Sequence, residues 1–364
     1  MSEATVAPSY PCAGCGARVE FVPGTAVLRC PYCGYEQQLA AADRRVREHA
    51  IEELRTLARK PVGSIGAHVF VCTRCGAQTE ADALAERCQF CGAPVVADAG
   101  AGDQICPEAV LPFELDRNGM REALRKWVAS RWFAPNRLKK VTEAESTRGT
   151  YLPHWTYDAD TVSDYTGQRG EYYYVTETYT ETVDGQQQTR TRQVRRTRWY
   201  PASGTVSHRF DDMLVVATSH VPPDDLAKLE PWPLLQAVPY QADYLAGYQA
   251  LRYDVEPETG LDTAKRRMAP VIEDDCRHDI GGDEQRVQSV DTAYHDVTFK
   301  LMLLPVWIAC YLYAGRTYQV LVNGRSGEVC GQRPYSWVKI TAAVVTALAA
   351  LTVIIFLFAQ SRGQ

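Results

Sequence analysis

The chain has 364 residues, 46% hydrophobic and 23% charged, and a formal net charge of −5. That length allows two small metal modules plus one or two domains with real cores. The acidic balance gives no electrostatic support for nucleic-acid binding.

Eight of the twelve cysteines fall within the first 91 residues, as the Cys-x-x-Cys pairs Cys12/Cys15, Cys30/Cys33, Cys72/Cys75 and Cys88/Cys91. Two residues between cysteines let one tight turn supply two thiolates to a tetrahedral Zn²⁺. Each second cysteine is followed by glycine (Gly16, Gly34, Gly76, Gly92), which permits the positive φ such a turn needs. Scattered structural or disulfide cysteines have no reason to keep this spacing. It predicts two structural zinc ribbons, over residues 1–39 and 63–96, each holding one Zn²⁺. Between them, residues 40–62 read as a connecting helix, with Val46, Ala50, Leu54, Leu57 and Ala58 at helical spacing and Pro61 ending it. Arg44, Arg45 and Arg47 there face Glu48, Glu52 and Glu53, the pattern of a self-paired solvated surface. Residues 97–104, rich in alanine, glycine and aspartate, form a flexible linker by composition.

Residues 105–335 carry an α+β body in two related halves, 105–240 and 241–335. The first half runs from Leu111–Leu115 through a helix over Met120–Trp132 to a strand opening on Leu152-Pro153-His154-Trp155. The second runs from Tyr253–Val255 through a helix over Leu261–Asp274 to Leu304-Pro305-Val306-Trp307. Proline suits a strand entry, and the tryptophan two residues on shares its face. The shared Leu-Pro-x-Trp pattern indicates an internal duplication.

After the first of these strands, residues 171–183 and 186–199 are β-rich and flank Asp184-Gly185, a strong hairpin signal. With those two residues as the turn, Glu177 falls opposite Arg192 and Glu171 opposite Arg198. Arg190, Arg192, Arg195, Arg196 and Arg198, beside tyrosines, are a candidate binding surface. They fit a nucleic-acid platform, a protein or anionic-lipid surface, or a scaffold hairpin whose charges are internally paired; the register favours the last.

No P-loop, nucleophile elbow or His-Glu-x-x-His helix is present, so no enzymatic activity is expected. Asp279–Arg286, with two glycines between carboxylates, reads as a turn in preference to a cation or phosphate loop. Cys106, Cys276, Cys310 and Cys330 have no ligand spacing, and the seven histidines are scattered singly.

Residues 336–364 are expected to form a transmembrane anchor and short tail. Ile340–Ala359 is twenty residues without a charge, about 30 Å as a helix. Arg325, Arg333 and Lys339 precede it and only Arg362 follows, which places the folded part in the cytoplasm of a single-pass protein. A reducing compartment also keeps thiolate zinc ligands from oxidising.

The stretches YLPHWTYDADTVSDYTGQRGEYYY, TRWYPASGTV, PYQADYLAGYQALRY, DIGGDEQR, TFKLMLLPVW and NGRSGEVCGQRPYS resemble a bacterial family of membrane-anchored double zinc-ribbon proteins. Its members are labelled TFIIB-type zinc-ribbon proteins or, misleadingly, primosomal protein N′ superfamily II helicases. The resemblance implies no established enzymatic activity. It also implies a setting beside SPFH-domain proteins and phage-shock protein A homologues in membrane-stress operons. The function expected is therefore an adaptor on the cytoplasmic face of the inner membrane. It would bind the bilayer through its C-terminal helix and recruit an SPFH-domain or phage-shock-type partner. The alternative is a membrane-tethered nucleic-acid-binding protein. Residues 1–98 weigh against it, with ten Lys/Arg against eleven Asp/Glu before any thiolate is counted.

Overall fold

The computed structural model describes residues 11–40, 42–57, 59–60, 68–81, 88–91, 95–97, 104–130, 147–183, 186–313, 316–331, 341 and 344–354. Strands β1 (Glu20–Phe21), β2 (Val27–Arg29) and β3 (Glu36–Gln38) make a small antiparallel sheet. β4 (His49–Ala50), a 3₁₀ turn over Ile51–Arg55 and β5 (Arg59–Lys60) follow. Then come β6 (His68–Cys72), β7 (Gln78–Ala81), β8 (Val95–Ala97), β9 (Gln104–Ile105), β10 (Ala109–Val110) and helix α1 (Arg117–Ala129). The long strands β11 (Arg148–Val183) and β12 (Gln186–Val216) lead to the short helix α2 (Pro223–Ala227) and strand β13 (Val238–Pro239). β14 (Gln249–Leu251), α3 (Pro257–Ile280), β15 (Glu284–Tyr313), β16 (Arg316–Asn323) and β17 (Val329–Gly331) complete the body. All strands except β1–β3, β5 and β9 join one mixed sheet.

The architecture is α+β, and its centre is the antiparallel pair β11–β15. Leu152 stands opposite Leu304, so the two Leu-Pro-x-Trp motifs meet at their leucines and run away from each other. Each long strand is flanked in parallel by a short strand from elsewhere in the chain. β10 places Val110 opposite Leu303, and β14 places Ala250 opposite Tyr151. The hydrogen bonds repeat the same pattern. Trp155 Nε1 donates to the Val255 carbonyl at 2.8 Å, and Trp307 Nε1 to the Leu115 carbonyl at 3.0 Å. The N–H groups of Asp254 and Val255 converge on the Ala217 carbonyl, and those of Glu114 and Leu115 on the Gly324 carbonyl. The short strands lie a few residues upstream of Leu111–Leu115 and Tyr253–Val255, because those residues bend away to meet these carbonyls. The helices run over 117–129 and 257–280, against 120–132 and 261–274 from the sequence.

Alternation along β11 and β15 divides the core between two sheet faces. Trp155, Tyr157, Phe299 and Leu301 pack beneath α3, whose buried residues Gly260, Ala264, Met268, Ile272, Cys276 and Ile280 recur every four positions. Leu152, Leu304, Val306 and Ile308 point the other way, against Leu226, Leu229 and Trp232.

The connecting helix expected over 40–62 is not formed. Within it the described residues hold two two-residue strands and the five-residue 3₁₀ turn. Tertiary contacts outweigh the helical spacing: β4 pairs with Phe299 and Thr298 of β15, and β5 pairs with β9. Arg44 reaches Glu108 at 3.0 Å and Glu48 reaches Lys300 at 2.6 Å, across the body rather than along a helix. Residues 98–103 of the expected linker lie outside the described residues.

His154, in the first Leu-Pro-x-Trp motif, is 1% exposed, with Nδ1 3.0 Å from the Leu152 carbonyl. Burial lowers its pKa to about 4. The group is neutral in the folded chain but takes a proton near pH 6.5 when unfolded, so its contribution holds above pH 6.5 and is lost as pH falls toward 4. The loss amounts to about 3 kcal/mol. In chemical denaturation, the stability gap between parent and His154→Gln should narrow by roughly that amount from pH 7 to pH 4. A gap that does not change with pH would contradict a buried neutral imidazole.

Candidate metal centres

Three of the cysteine pairs, Cys12/Cys15, Cys30/Cys33 and Cys72/Cys75, sit in tight turns whose geometry follows from the glycine after them. Gly16, Gly34 and Gly76 have φ of +72°, +73° and +74°, a region that side chains with a Cβ rarely adopt. Their N–H groups turn back onto the carbonyls of Cys12, Cys30 and Cys72 at 2.8–3.0 Å. Gly92 lies outside the described residues. Backbone N–H groups also point at sulfur: Gly14 to Cys12 Sγ at 3.3 Å, Arg74 to Cys72 Sγ and Phe90 to Cys88 Sγ at 3.4 Å.

The turns bring Cys12, Cys15, Cys30 and Cys33 together, and likewise Cys72, Cys75, Cys88 and Cys91, with all sulfurs of a set within 4.8 Å of one another. Cys12–Cys33 and Cys15–Cys30 are 3.5 and 3.6 Å apart, as are Cys72–Cys91 and Cys75–Cys88. Four sulfurs about 2.3 Å from one Zn²⁺ stand about 3.8 Å apart on a tetrahedron, whereas a disulfide needs about 2.05 Å. The donor sets therefore fit two structural zinc ions and not disulfides.

The thiol electrostatics point the same way. Cys30 is drawn down to about 7 by the Cys33 backbone N–H and other donors, while the sulfurs of Cys12, Cys15 and Cys30 crowd Cys33 up to about 12 despite the N–H of Tyr35. In the second set, burial opposes ionisation of Cys72, but the N–H groups of Cys75 and Arg74 bring it down to about 7. Burial holds Cys75 up at about 11. Four thiolates this close need a bound cation to ionise together.

Each metal module is built into the body. Cys12, Val19, Phe21, Leu28 and Cys30 share one apolar cluster with Phe113, Tyr151, Leu303 and Trp307. Phe21 packs edge-on against Tyr244 and Tyr248. Cys72, Ala77, Cys88 and Phe90 join the cluster of Leu152, Leu304, Val306 and Ile308, and β7 extends the main sheet by pairing with β14. Tyr151 and Leu152 are neighbours on one strand, so the two cysteine modules cover opposite faces of the central pair.

Glu48, Asp158 and Asp212 form a third group of potential ligands. The buried Lys300 ammonium stands 2.6 Å from Glu48 and 2.5 Å from Asp212, offsetting part of their charge. Burial and the Glu48 carboxylate raise Asp158, while the Asp158 hydrogen bond and Lys300 lower Glu48. Sequence reading missed this group because its members lie far apart in the chain, just before β4, on β11 and on β12. It also missed the pairings of lone histidines: half-buried His220 with Asp254 at 3.0 Å and buried His49 with Glu108 at 3.1 Å. Ser219 donates straight to Asp254 at 2.5 Å and stands 3.4 Å from His220 Nδ1, the same nitrogen that faces Asp254. The imidazole is therefore not interposed between hydroxyl and carboxylate as a nucleophile–base relay requires.

The long hairpin has the register expected from the sequence, with Val183 opposite Gln186; residues 184–185 lie outside the described ones. Glu177 pairs with Arg192 and Glu171 with Arg198. Arg192 and Arg196 hold Glu177 at 3.3 and 2.6 Å, and Arg190 holds Glu181 at 3.2 Å. Arg195 lies over Tyr172 and Arg198 over Tyr173, at 4.1 and 4.9 Å from the ring centres. All five arginines thus have acidic or aromatic partners within the hairpin. The Gly281-Gly282 segment is the turn from α3 to β15, and its carboxylates bond to β11: Asp279 accepts from Tyr165 and Asp283 from the Tyr172 N–H. Cys276 is core, Cys330 is buried near Asp225, and Cys106 is half-buried; the side chain of Cys310 lies outside the described residues.

The chain is 26% identical over 261 residues to the "Uncharacterized protein YdjG" of Bacillus subtilis (strain 168), an alignment covering 69% of this chain and 70% of that protein. No family model matches the chain, and no solved structure matches it.

Proposed function

We propose that the protein is a membrane-tethered, non-enzymatic adaptor whose zinc-braced body presents binding surfaces beside a lipid bilayer. The observation that carries this reading is the helical segment 344–354. Val344, Val345, Leu348, Leu351, Val353 and Ile354 are each more than half exposed. At about 100° per residue they surround the helix, and a helix apolar on every side belongs in a core or a membrane. Among the described residues no helix is long and apolar enough to cross a membrane. The described part covers only residues 341 and 344–354 of the apolar run 340–359.

A cytoplasmic position for the body is supported by the two thiolate sets, which a reducing compartment preserves. Basic residues support it less than their number suggests. Arg325 is only 13% exposed and is tied to Glu114 at 3.1 Å, so it does not face lipid headgroups. The adaptor's partner, in this proposal, is of the SPFH-domain or phage-shock type that the family resemblance implies. The nucleic-acid alternative draws less support, because the hairpin arginines already have partners and the chain is acidic.

Deleting residues 336–364 tests the tether. The shortened protein should leave the membrane fraction under alkaline carbonate, while the full chain stays. A full chain that is itself extracted by carbonate would sink the proposal.

A further inference from the structure

A cavity of about 550 Å³ lies between the first cysteine module and the body, within the range of small-molecule sites. Four arginines line it: Arg18 and Arg29 from the module, Arg117 from the start of α1 and Arg148 from the start of β11. Two carboxylates, Glu20 and Asp116, also line it, and Glu36 beside it holds Arg29, so four positive charges meet three negative ones, a local excess of +1 in a chain of net −5. The Asp116 carboxylate caps α1 by accepting from the Gly119 N–H at 2.7 Å, and Arg29 is held by Glu36 at 2.6 Å. Guanidinium groups bind phosphate through paired, charge-assisted hydrogen bonds. The positive end of the 13-residue helix α1 adds to the same potential.

The cavity wall is rigid as well as charged. Tyr248 stacks on Phe113 with ring centres 4.4 Å apart. Its ring lies so close to Gly149 that a Cβ there would come within 2.5 Å. Trp307 is fixed by its hydrogen bond to the Leu115 carbonyl. Aromatic rings held this firmly provide an apolar side for a ligand without an ordering cost on binding.

We propose that this cavity binds a small phosphate-bearing molecule, and that zinc at Cys12, Cys15, Cys30 and Cys33 builds its arginine wall. Arg18 follows Cys15 by three residues and Arg29 immediately precedes Cys30. The turns fixing their backbones close through Cys12 N–H to the Ala17 carbonyl at 2.6 Å and Cys30 N–H to the Tyr35 carbonyl at 2.8 Å. Without the metal the module loses its frame, and two of the four guanidinium groups lose their positions.

The phosphate has two chemical sources, a soluble phosphate ester or a lipid headgroup. The test uses the full zinc-loaded chain in neutral-detergent micelles, titrated calorimetrically with inorganic phosphate and, separately, with short-chain phosphatidic acid. Saturable binding of at least one probe is expected. Inorganic phosphate competing with the lipid assigns a soluble ligand, and lipid binding that phosphate does not displace assigns a headgroup. Arg117→Gln with Arg148→Gln should weaken binding about tenfold or more. Arg192→Gln on the distant hairpin should leave it unchanged. Cys30→Ser should lower zinc to one ion per chain and abolish binding. Since that variant also disturbs packing, the arginine variants, checked for two zinc ions per chain, carry the test on their own. No saturable binding of either probe, or binding indifferent to Arg117 and Arg148, overturns the site. Binding that survives Cys30→Ser with one zinc lost overturns its dependence on the metal.

Discussion

Replacing Cys72 with serine should release one zinc ion per chain and lower the unfolding midpoint of the whole body, not only of its cysteine module. Structural Zn²⁺ in isolated four-ligand modules contributes an apparent ~10–16 kcal/mol, comparable to the net stability of an entire domain. Here the ligands are also core residues. Cys72 is 1% exposed and shares a cluster with Leu152, Leu304 and Ile308 at the centre of the sheet. Losing the metal removes the frame that holds Ala77 and Phe90 over those leucines, and it loosens β7 from β14. Zinc content and thermal denaturation, measured together on parent and variant, check this. A variant retaining two zinc ions, or losing one with no change in midpoint, would show that the module hangs on the body without bracing it.

Trp155→Ala should cost about 3–5 kcal/mol, the range for truncating a buried aromatic. Trp155→Phe should cost about 1–3 kcal/mol, because the Val255 carbonyl loses its donor inside the fold. Trp307→Phe should behave like Trp155→Phe, since Trp307 makes the equivalent bond to Leu115. Trp155 and Trp307 pair with Leu301 and Gly149, six residues apart along β11, roughly 20 Å. At that separation the two losses should add. Denaturant titration of the single and double variants measures this. Strong coupling between the two positions would mean that the two units do not bear load independently.

What could be read from the sequence was governed by local rules. Cysteine spacing followed by glycine dictates the metal-binding turns, because both requirements lie within five residues. Reading Asp184-Gly185 as a two-residue turn puts Glu177 opposite Arg192 by arithmetic, and that register holds as far as Ala159, where a bulge shifts it. The Leu-Pro-x-Trp strands were visible as motifs, but their exact mutual register about Leu152 and Leu304 depends on contacts 152 residues apart. The helix read over 40–62 fails for the same reason: Glu48 and Arg44 serve distant residues, Lys300 and Glu108. Nor does composition reveal that the two cysteine modules clasp opposite faces of one sheet. Phe21 looks like an ordinary strand residue until Tyr244 and Tyr248 close around it. The arginine-lined cavity draws on the first module, α1 and β11, so no window of sequence contains it.

The central claim is that two zinc ions, each held by four sulfurs, are integral to this fold. Zinc K-edge X-ray absorption combined with metal quantitation on the purified full chain tests it most directly. Two zinc ions per chain are expected, with four sulfur neighbours at about 2.3 Å around each. Fewer than one zinc per chain with native secondary structure intact, or a nitrogen- or oxygen-rich coordination shell, would contradict it.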